Sequence, residues 1–104
     1  MPNKVTILVA AYNAQTYLTQ CLDSLVGQTL REIQIVCIDD ASTDGTWRIM
    51  KRYADADPRF VLLRHSENLG QARARNYGLT RADGEFVTMV DSDDWLAPDA
   101  LAEA

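Results

Sequence analysis

Acidic side chains are concentrated in two short segments of this 104-residue chain. Six of its fifteen Asp and Glu residues lie within residues 39–44 and 91–94. Carboxylate oxygens are ligands that suit Mg²⁺ and Mn²⁺, and Mg²⁺ is commonly held by one or two carboxylates together with the phosphates of a substrate. We therefore predict that Asp91 and Asp93, in the segment Asp91-Ser92-Asp93-Asp94, bind a divalent metal that bridges to a diphosphate.

Both acidic segments also fit a simpler interpretation. The second could be a solvated turn in which Asp93 or Asp94 caps the following helix. In the pair Asp39-Asp40, one carboxylate could accept the imide N–H of a uracil ring while the other, or a nearby polar side chain, caps a helix. Tyr12 also has two interpretations, because its ring could stack on a base or pack on the first helix. The residue types alone leave these alternatives open.

Four short apolar runs rich in β-branched residues alternate with segments of helical spacing. The runs predict strands, and they are Val5–Ala11, Ile33–Ile38, Arg59–Leu63 and Glu85–Val90. The apolar stripes predict helices, and they are Leu18-Leu22-Leu25, Trp47-Met50-Ala54 and a weaker Ala72-Asn76-Leu79. Asn13 is predicted to cap the first helix and Ser42 or Thr43 the second. Asp57-Pro58 is predicted to end the second helix.

This alternation predicts an α/β fold, a three-layer open parallel sheet of about four strands with flanking helices. Ligands of such sheets bind outside the carboxyl ends of the strands, where both acidic segments lie. If the first strand lies between the second and the fourth, the two segments are two strand spacings apart, roughly 10 Å. That is on the order of the distance from a pyrimidine base to its diphosphate, so the two segments fit the two ends of one nucleotide site.

The composition of the chain limits the classes of ligand that it is expected to bind. The net charge of −5 argues against nucleic acid as a partner, whereas an anionic ligand remains compatible if a metal cation lies between it and the acidic residues. Cys21 and Cys37 lie in apolar surroundings and are predicted to be buried thiols, which suits a reducing cytosol. The apolar run Val5–Ala11 is too short to cross a membrane.

Five segments, taken in order, carry a resemblance to a known family. They are Val5 to Asn13; Tyr17-Leu18 through Cys21-Leu22-Asp23-Ser24-Leu25 to Gln28-Thr29; Asp39-Asp40-Ala41-Ser42-Thr43-Asp44-Gly45-Thr46; Glu67-Asn68-Leu69-Gly70 with Ala74-Arg75-Asn76-Tyr77-Gly78; and Gly84-Glu85-Phe86 with Asp91-Ser92-Asp93-Asp94-Trp95. The chain resembles glycosyltransferase family 2, whose members are inverting enzymes of the GT-A fold. The resemblance covers essentially the whole chain.

The resemblance implies a transferase that uses a nucleoside-diphosphate sugar, most often a UDP-sugar, with Mg²⁺ or Mn²⁺. The implied nucleotide-binding residues are Ala10, Tyr12, Asp39, Asp40, Asp91 and Ser92, and the implied metal ligands are Asp93 and Asp91. Asp40 would contact the base, Asp91 would lie near the ribose, and Asp93 would hold the metal on the diphosphate. The family often has proline at the position of Ala10 and glycine at that of Ala41, but neither difference removes a polar ligand.

The resemblance also implies what lies outside the chain. In this family the general base and the acceptor site come from a segment beyond residue 104, so residues 1–104 are expected to be the nucleotide-sugar-binding part and inactive alone. The expected acceptor is a saccharide or a lipid-linked saccharide, and the expected setting is polysaccharide assembly at the cytoplasmic face of a membrane. The alternative is a non-catalytic subdomain that self-associates as a homo-oligomer through uncovered apolar surface.

Overall fold

The computed structural model describes residues 3–103. It contains four strands and three helices in strict alternation. In chain order they are β1 (Val5–Ala11), α1 (Gln15–Val26), β2 (Ile33–Asp39), α2 (Thr46–Ala56), β3 (Phe60–Arg64), α3 (Gln71–Leu79) and β4 (Phe86–Met89). The predicted strands are therefore confirmed to within one residue at each end, and α2 ends just before Asp57-Pro58, as predicted.

The four strands form one parallel sheet in the order β3-β2-β1-β4. β1 lies in the middle, paired from Val5 with Ile33 on one side and from Val5 with Phe86 on the other. The predicted neighbours of the first strand are confirmed. Because every strand runs in the same direction, the segments that follow them all emerge at one edge of the sheet.

Helices cover the two faces of the sheet unequally. α1 and α2 pack on the face that contains Ile7, Val9 and Ile35, which is the larger core. α3 packs on the opposite face against Leu8 and Val36. Cover on both faces explains why β1 and β2 are continuous apolar runs instead of alternating ones. The thiols Cys21 and Cys37 are both free and buried, as predicted, and burial raises the pKa of Cys21 to about 12.

The packed face of α3 differs from the prediction. Ala72, Asn76 and Leu79 are exposed, and the helix turns Ala74 and Gly78 towards the sheet instead. A Cβ on Gly78 would lie 2.7 Å from Ile38 Cδ1, so α3 approaches the sheet too closely for a larger side chain. The stripe prediction was wrong because it followed hydrophobicity, whereas this contact selects small side chains.

β4 is an edge strand and is less covered than the other three. The side chains of Phe86, Val87 and Met89 are exposed, although the strand is a short apolar run like the other three. No helix among residues 3–103 is both long enough and apolar enough to cross a membrane.

A buried polar cluster holds the turn that leads into β4. Thr6 Oγ1 donates to Gln34 Oε1 at 2.7 Å, and Gln34 Nε2 donates to the carbonyl of Arg81. The N–H of Asp83 and the N–H of Gly84 donate back to Gln34 and Thr6. This reciprocal set brings the backbone of Gly84 directly against β1.

Gly84→Ala is expected to destabilise the protein by roughly 1–3 kcal/mol, the usual cost of overpacking. A Cβ at this position would lie 2.5 Å from Thr6 N and 2.7 Å from Val5 C, and both are backbone atoms that cannot move aside. Urea unfolding measures the change. Gly27→Ala is the control, because its Cβ would meet only Asp23 O, at 3.3 Å. Equal stability of the two variants would contradict the argument.

Candidate functional site

The carboxyl edge of the sheet contains a polar cavity of about 490 Å³. The segments after β1 and β4 form it together with the start of α3. Its lining residues are Ala10, Tyr12, Asn13, Ala14, Tyr17, Gln71, Arg75, Asp91, Ser92 and Asp93. A smaller cavity continues from it, and Asp40 lines that continuation with Ala10, Tyr12, Gln71 and Ser92. Five of the six predicted nucleotide-binding residues are thus brought together.

The predicted metal ligands lie at one end of this cavity. Asp91, Asp93 and Asp94 are all exposed, and each offers one carboxylate oxygen such that these oxygens lie within 4.8 Å of one another. Opposite ligands of an octahedral Mg²⁺ are about 4.2 Å apart, twice the metal–oxygen distance. Small side-chain rotations would therefore close this cluster around a hard divalent cation, so the residues fit such an ion.

Asp40 lies nearly buried between the sheet and the start of α3. Its Oδ1 accepts the N–H of Leu69 at 3.0 Å and the Nδ1–H of His65 at 2.9 Å, and its Oδ2 accepts the N–H of Gly70 at 2.9 Å. Burial alone would raise the pKa of Asp40, but these three donors stabilise the ionised form and lower the pKa below its ordinary value. The carboxylate therefore holds the backbone of Leu69 and Gly70 in place just before α3 begins.

Asp39 does not reach the cavity. Its side chain is fully buried, its Oδ1 accepts the N–H of Ser42, and its Oδ2 lies 3.2 Å from Nε of Arg64 without a hydrogen-bonding angle. The guanidinium of Arg64 also lies over the ring of Trp47, 4.9 Å from its centroid. Through these contacts Asp39 supports the β2–α2 loop.

The segments that lead into α1 and α2 are joined to each other by hydrogen bonds in both directions. Side chains of the β2–α2 loop and of the first residue of α2 accept three N–H groups from residues 13–15, where α1 begins. Asn13 N–H donates to Ser42 Oγ, Ala14 N–H to Thr46 Oγ1, and Gln15 N–H to Asp44 Oδ2, at 2.8, 2.8 and 3.2 Å. Asn13 was predicted to cap α1, and Ser42 or Thr43 to cap α2. Both predictions were wrong, because the N-cap residues are Ala14 and Gly45.

Side chains of the segment that leads into α1 also accept hydrogen bonds from the β2–α2 loop. Asn13 Oδ1 accepts the N–H of Thr43 at 2.8 Å, and Gln15 Oε1 accepts the N–H of Gly45 at 2.5 Å. A typical intramolecular hydrogen bond contributes about 1 kcal/mol. Five hydrogen bonds join the two loops. They hold in place the backbone beside Tyr12, and Tyr12 forms a wall of the cavity.

Left-handed backbone occurs at two places in this network. Asn13 has φ 49° and Ala41 has φ 64°. Asparagine tolerates this region, whereas alanine adopts it at a cost of roughly 1–2 kcal/mol. The resemblance indicated that glycine is common at the position of Ala41, and glycine adopts the left-handed backbone found here without this cost.

Sequence reasoning left Gln71 out and left Arg75 undecided. Both line the cavity together with Asp91 and Asp93, so Arg75 contributes a cation to the cavity that contains these carboxylates. Arg73, two residues away, is exposed. The sequence feature that could have identified them is the i, i+4 spacing of Gln71 and Arg75, which places both on one face of the helix. His65 is hydrogen-bonded to Asp40, and its ring stacks on that of Tyr77 with the ring centroids 5.3 Å apart.

An open parallel sheet with a polar cavity at its carboxyl edge defines the class of Rossmann-like ligand-binding domains. Comparison with known proteins refines that class. The sequence model described as Glycosyl transferase family 2 matches residues 6–104, and the chain belongs to this family.

Relatives share this region of their sequences. Glycosyltransferase GlyA of Streptococcus pneumoniae is 44% identical over 97 residues, which are 93% of this chain and 14% of GlyA. Putative glycosyltransferase EpsH of Bacillus subtilis is 45% identical over 95 residues, 91% of this chain and 27% of EpsH. The chain therefore spans less than a third of the length of either relative.

Solved structures confirm the GT-A fold. S. aureus TarS 1–349 in complex with UDP-GlcNAc superposes with a TM-score of 0.90 at 35% identity, over 96% of this chain and 29% of that one. Mannosyltransferase PcManGT from Pyrobaculum calidifontis, in complex with GDP-Man and Mn²⁺, gives 0.88 at 34% identity, over 98% and 32%.

The lowered pKa of Asp40 predicts a defined acid sensitivity. A carboxylate with a depressed folded-state pKa stabilises the fold above its ordinary value of 3.8, and this contribution is lost as the pH falls through the lower folded-state value. The stability difference between the wild type and Asp40→Asn should therefore shrink as the pH is lowered from about 5 to 2. Urea unfolding across that range measures it. A difference that stays constant would contradict the assignment.

Proposed function

We propose that residues 3–103 bind a nucleoside-diphosphate sugar, a UDP-sugar in particular, through a divalent metal for inverting transfer to a saccharide or other hydroxyl acceptor. The observation that carries this proposal is a pair of neighbouring polar cavities that share Tyr12 as an aromatic wall. Asp40 lines the smaller one, and Asp91 and Asp93, two members of the exposed carboxylate cluster, line the larger. Family membership and the nucleotide-bound structures of TarS and PcManGT support it.

The base end of the proposed site is formed by Tyr12 and Asp40. Tyr12 is half exposed, so its ring is available to stack on a base. Among the described residues, two donors reach Asp40 Oδ1 and one reaches Oδ2. Each carboxylate oxygen has about two acceptor positions, which leaves Oδ2 able to accept the imide N–H of uracil. Ala10 has a small side chain that leaves this part of the cavity open.

The phosphate end is formed by the carboxylates and Arg75. Asp93 and Asp91 would hold Mg²⁺ or Mn²⁺, and the bound ion would offset the negative charge that develops on the leaving diphosphate. Arg75 lines the same cavity, where its guanidinium can donate to phosphate oxygens. Ser92, between the two aspartates, would contribute a hydroxyl to the same ligand.

These residues act on the donor. Inverting transfer also needs a base that deprotonates the acceptor hydroxyl, and we propose that this base and the acceptor site lie beyond residue 104. The described residues would then bind the donor without completing transfer by themselves.

Calorimetric titration of UDP with and without Mn²⁺ tests the proposal. Binding should be stronger with Mn²⁺, and Asp93→Asn should remove that metal dependence because the cluster loses a charged ligand. Asp55→Asn is the matched control, since it makes the same charge change at an exposed position of α2. The proposal fails if UDP does not bind, or if Asp93→Asn retains the metal dependence of the wild type.

A second candidate function is self-association. The exposed Phe86, Val87 and Met89 of β4 favour it, because an uncovered apolar edge strand can pair with another chain. Light scattering over a range of concentrations should then show a dimer that Val87→Lys, a charged edge residue, converts to monomer. A wild-type monomer at all concentrations would exclude this candidate.

A further inference from the structure

One face of α1 carries a row of polar side chains that contacts the segment after β4. Cys21 and Ser24 are three residues apart and lie on the same side of α1, and Gln28, two residues beyond the end of the helix at Val26, continues the row. Cys21 Sγ–H donates to the carbonyl of Asp91 at 3.6 Å. Ser24 Oγ accepts the N–H of Leu96 at 3.1 Å and donates to the carbonyl of Cys21 at 2.6 Å.

Gln28 completes the row. Its side chain is 1% exposed, although glutamine is usually a surface residue. Nε2 donates to the carbonyls of Ala97 and Ser24 at 2.7 and 3.0 Å, and Oε1 accepts the N–H of Leu101 at 3.1 Å. Just beyond α1, Thr29 N–H donates to the carbonyl of Pro98 at 2.7 Å. The end of α1 therefore binds the backbone on the far side of the acidic segment.

The acidic segment itself has few other attachments. Val90 N–H donates to the carbonyl of Leu8, and Asp94 N–H donates to the carbonyl of Asp91, both at 3.0 Å. The three exposed carboxylates repel one another, and repulsion favours an open loop over a convergent one. Contacts at both ends of the segment oppose that opening.

We propose that Ser24 and Gln28 are positioning residues for the metal ligands of the Asp91–Asp94 segment. Resting on the proposed function, this inference adds a role for two residues that touch neither the metal nor the nucleotide. By binding Leu96, Ala97 and Leu101 they hold the carboxylates convergent before a cation arrives. Metal affinity then includes no cost for ordering the loop.

The experiment measures Mn²⁺ binding by electron paramagnetic resonance in the presence of UDP. Gln28→Met keeps the size of the side chain and removes its hydrogen bonds, and Ser24→Ala removes the hydroxyl. Both should weaken Mn²⁺ binding by about tenfold or more, the usual effect of losing a group that orients ligands. Ser24→Thr retains the hydroxyl and should restore the affinity and the spectrum of bound Mn²⁺.

Met50→Ala is the control for general loss of stability, because Met50 is fully buried on α2 and contacts the core. It should lower the melting temperature while leaving Mn²⁺ affinity unchanged. Three results overturn the inference. Gln28→Met and Ser24→Ala could bind Mn²⁺ like the wild type, Met50→Ala could weaken binding as much as they do, or Ser24→Thr could fail to restore it. A wild type that binds no Mn²⁺ with UDP overturns the proposed function as well.

Discussion

The parallel pairing of β1 with β2 on one side and β4 on the other is the constraint on which the site depends. Parallel strands send the segments that follow them to the same edge, so residues far apart in the chain meet there. Asp40 follows β2, Tyr12 follows β1 and Asp93 follows β4. Because β1 is central, Tyr12 lies between the two acidic segments, and the cavity opens beside it. Burial of β1 on both faces stabilises this arrangement.

Helix termini provide the second level of organisation. The N–H groups that start α1 are received by Ser42, Thr46 and Asp44, so neither loop can move without breaking hydrogen bonds to the other. Hydrogen bonds from Thr46 and Gln15 lower the pKa of Asp44, although partial burial alone would raise it. Gln28, two residues beyond the far end of α1, binds the backbone beyond Asp94. One helix thus connects the base side of the cavity with the carboxylate side.

Different parts of the molecule were predictable to different degrees. The strands and the order around β1 follow from short-range patterns and from general rules for parallel sheets, and these predictions were confirmed. The stripe on α3 was wrong, because a close approach between Gly78 and Ile38 decides which face is buried. The spacing of Cys21, Ser24 and Gln28 is visible in the sequence, but nothing in the spacing says that their partners are Asp91, Leu96, Ala97 and Leu101.

The sequence by itself determined the alternation of strands and helices, the two acidic segments, and the edge at which they would lie, because periodicity and chain direction are local properties. Only the tertiary structure decided how each polar group is used. Asp39 and Asp40 are adjacent and chemically identical, yet the pleat directs Asp39 towards Ser42 and Arg64, while Asp40 lines the cavity and receives the start of α3. Asn13 and Ser42 looked like caps for their own helices and cap each other's loops instead. Such choices depend on which donors and acceptors folding brings within about 3 Å, and sequence spacing does not contain that distance.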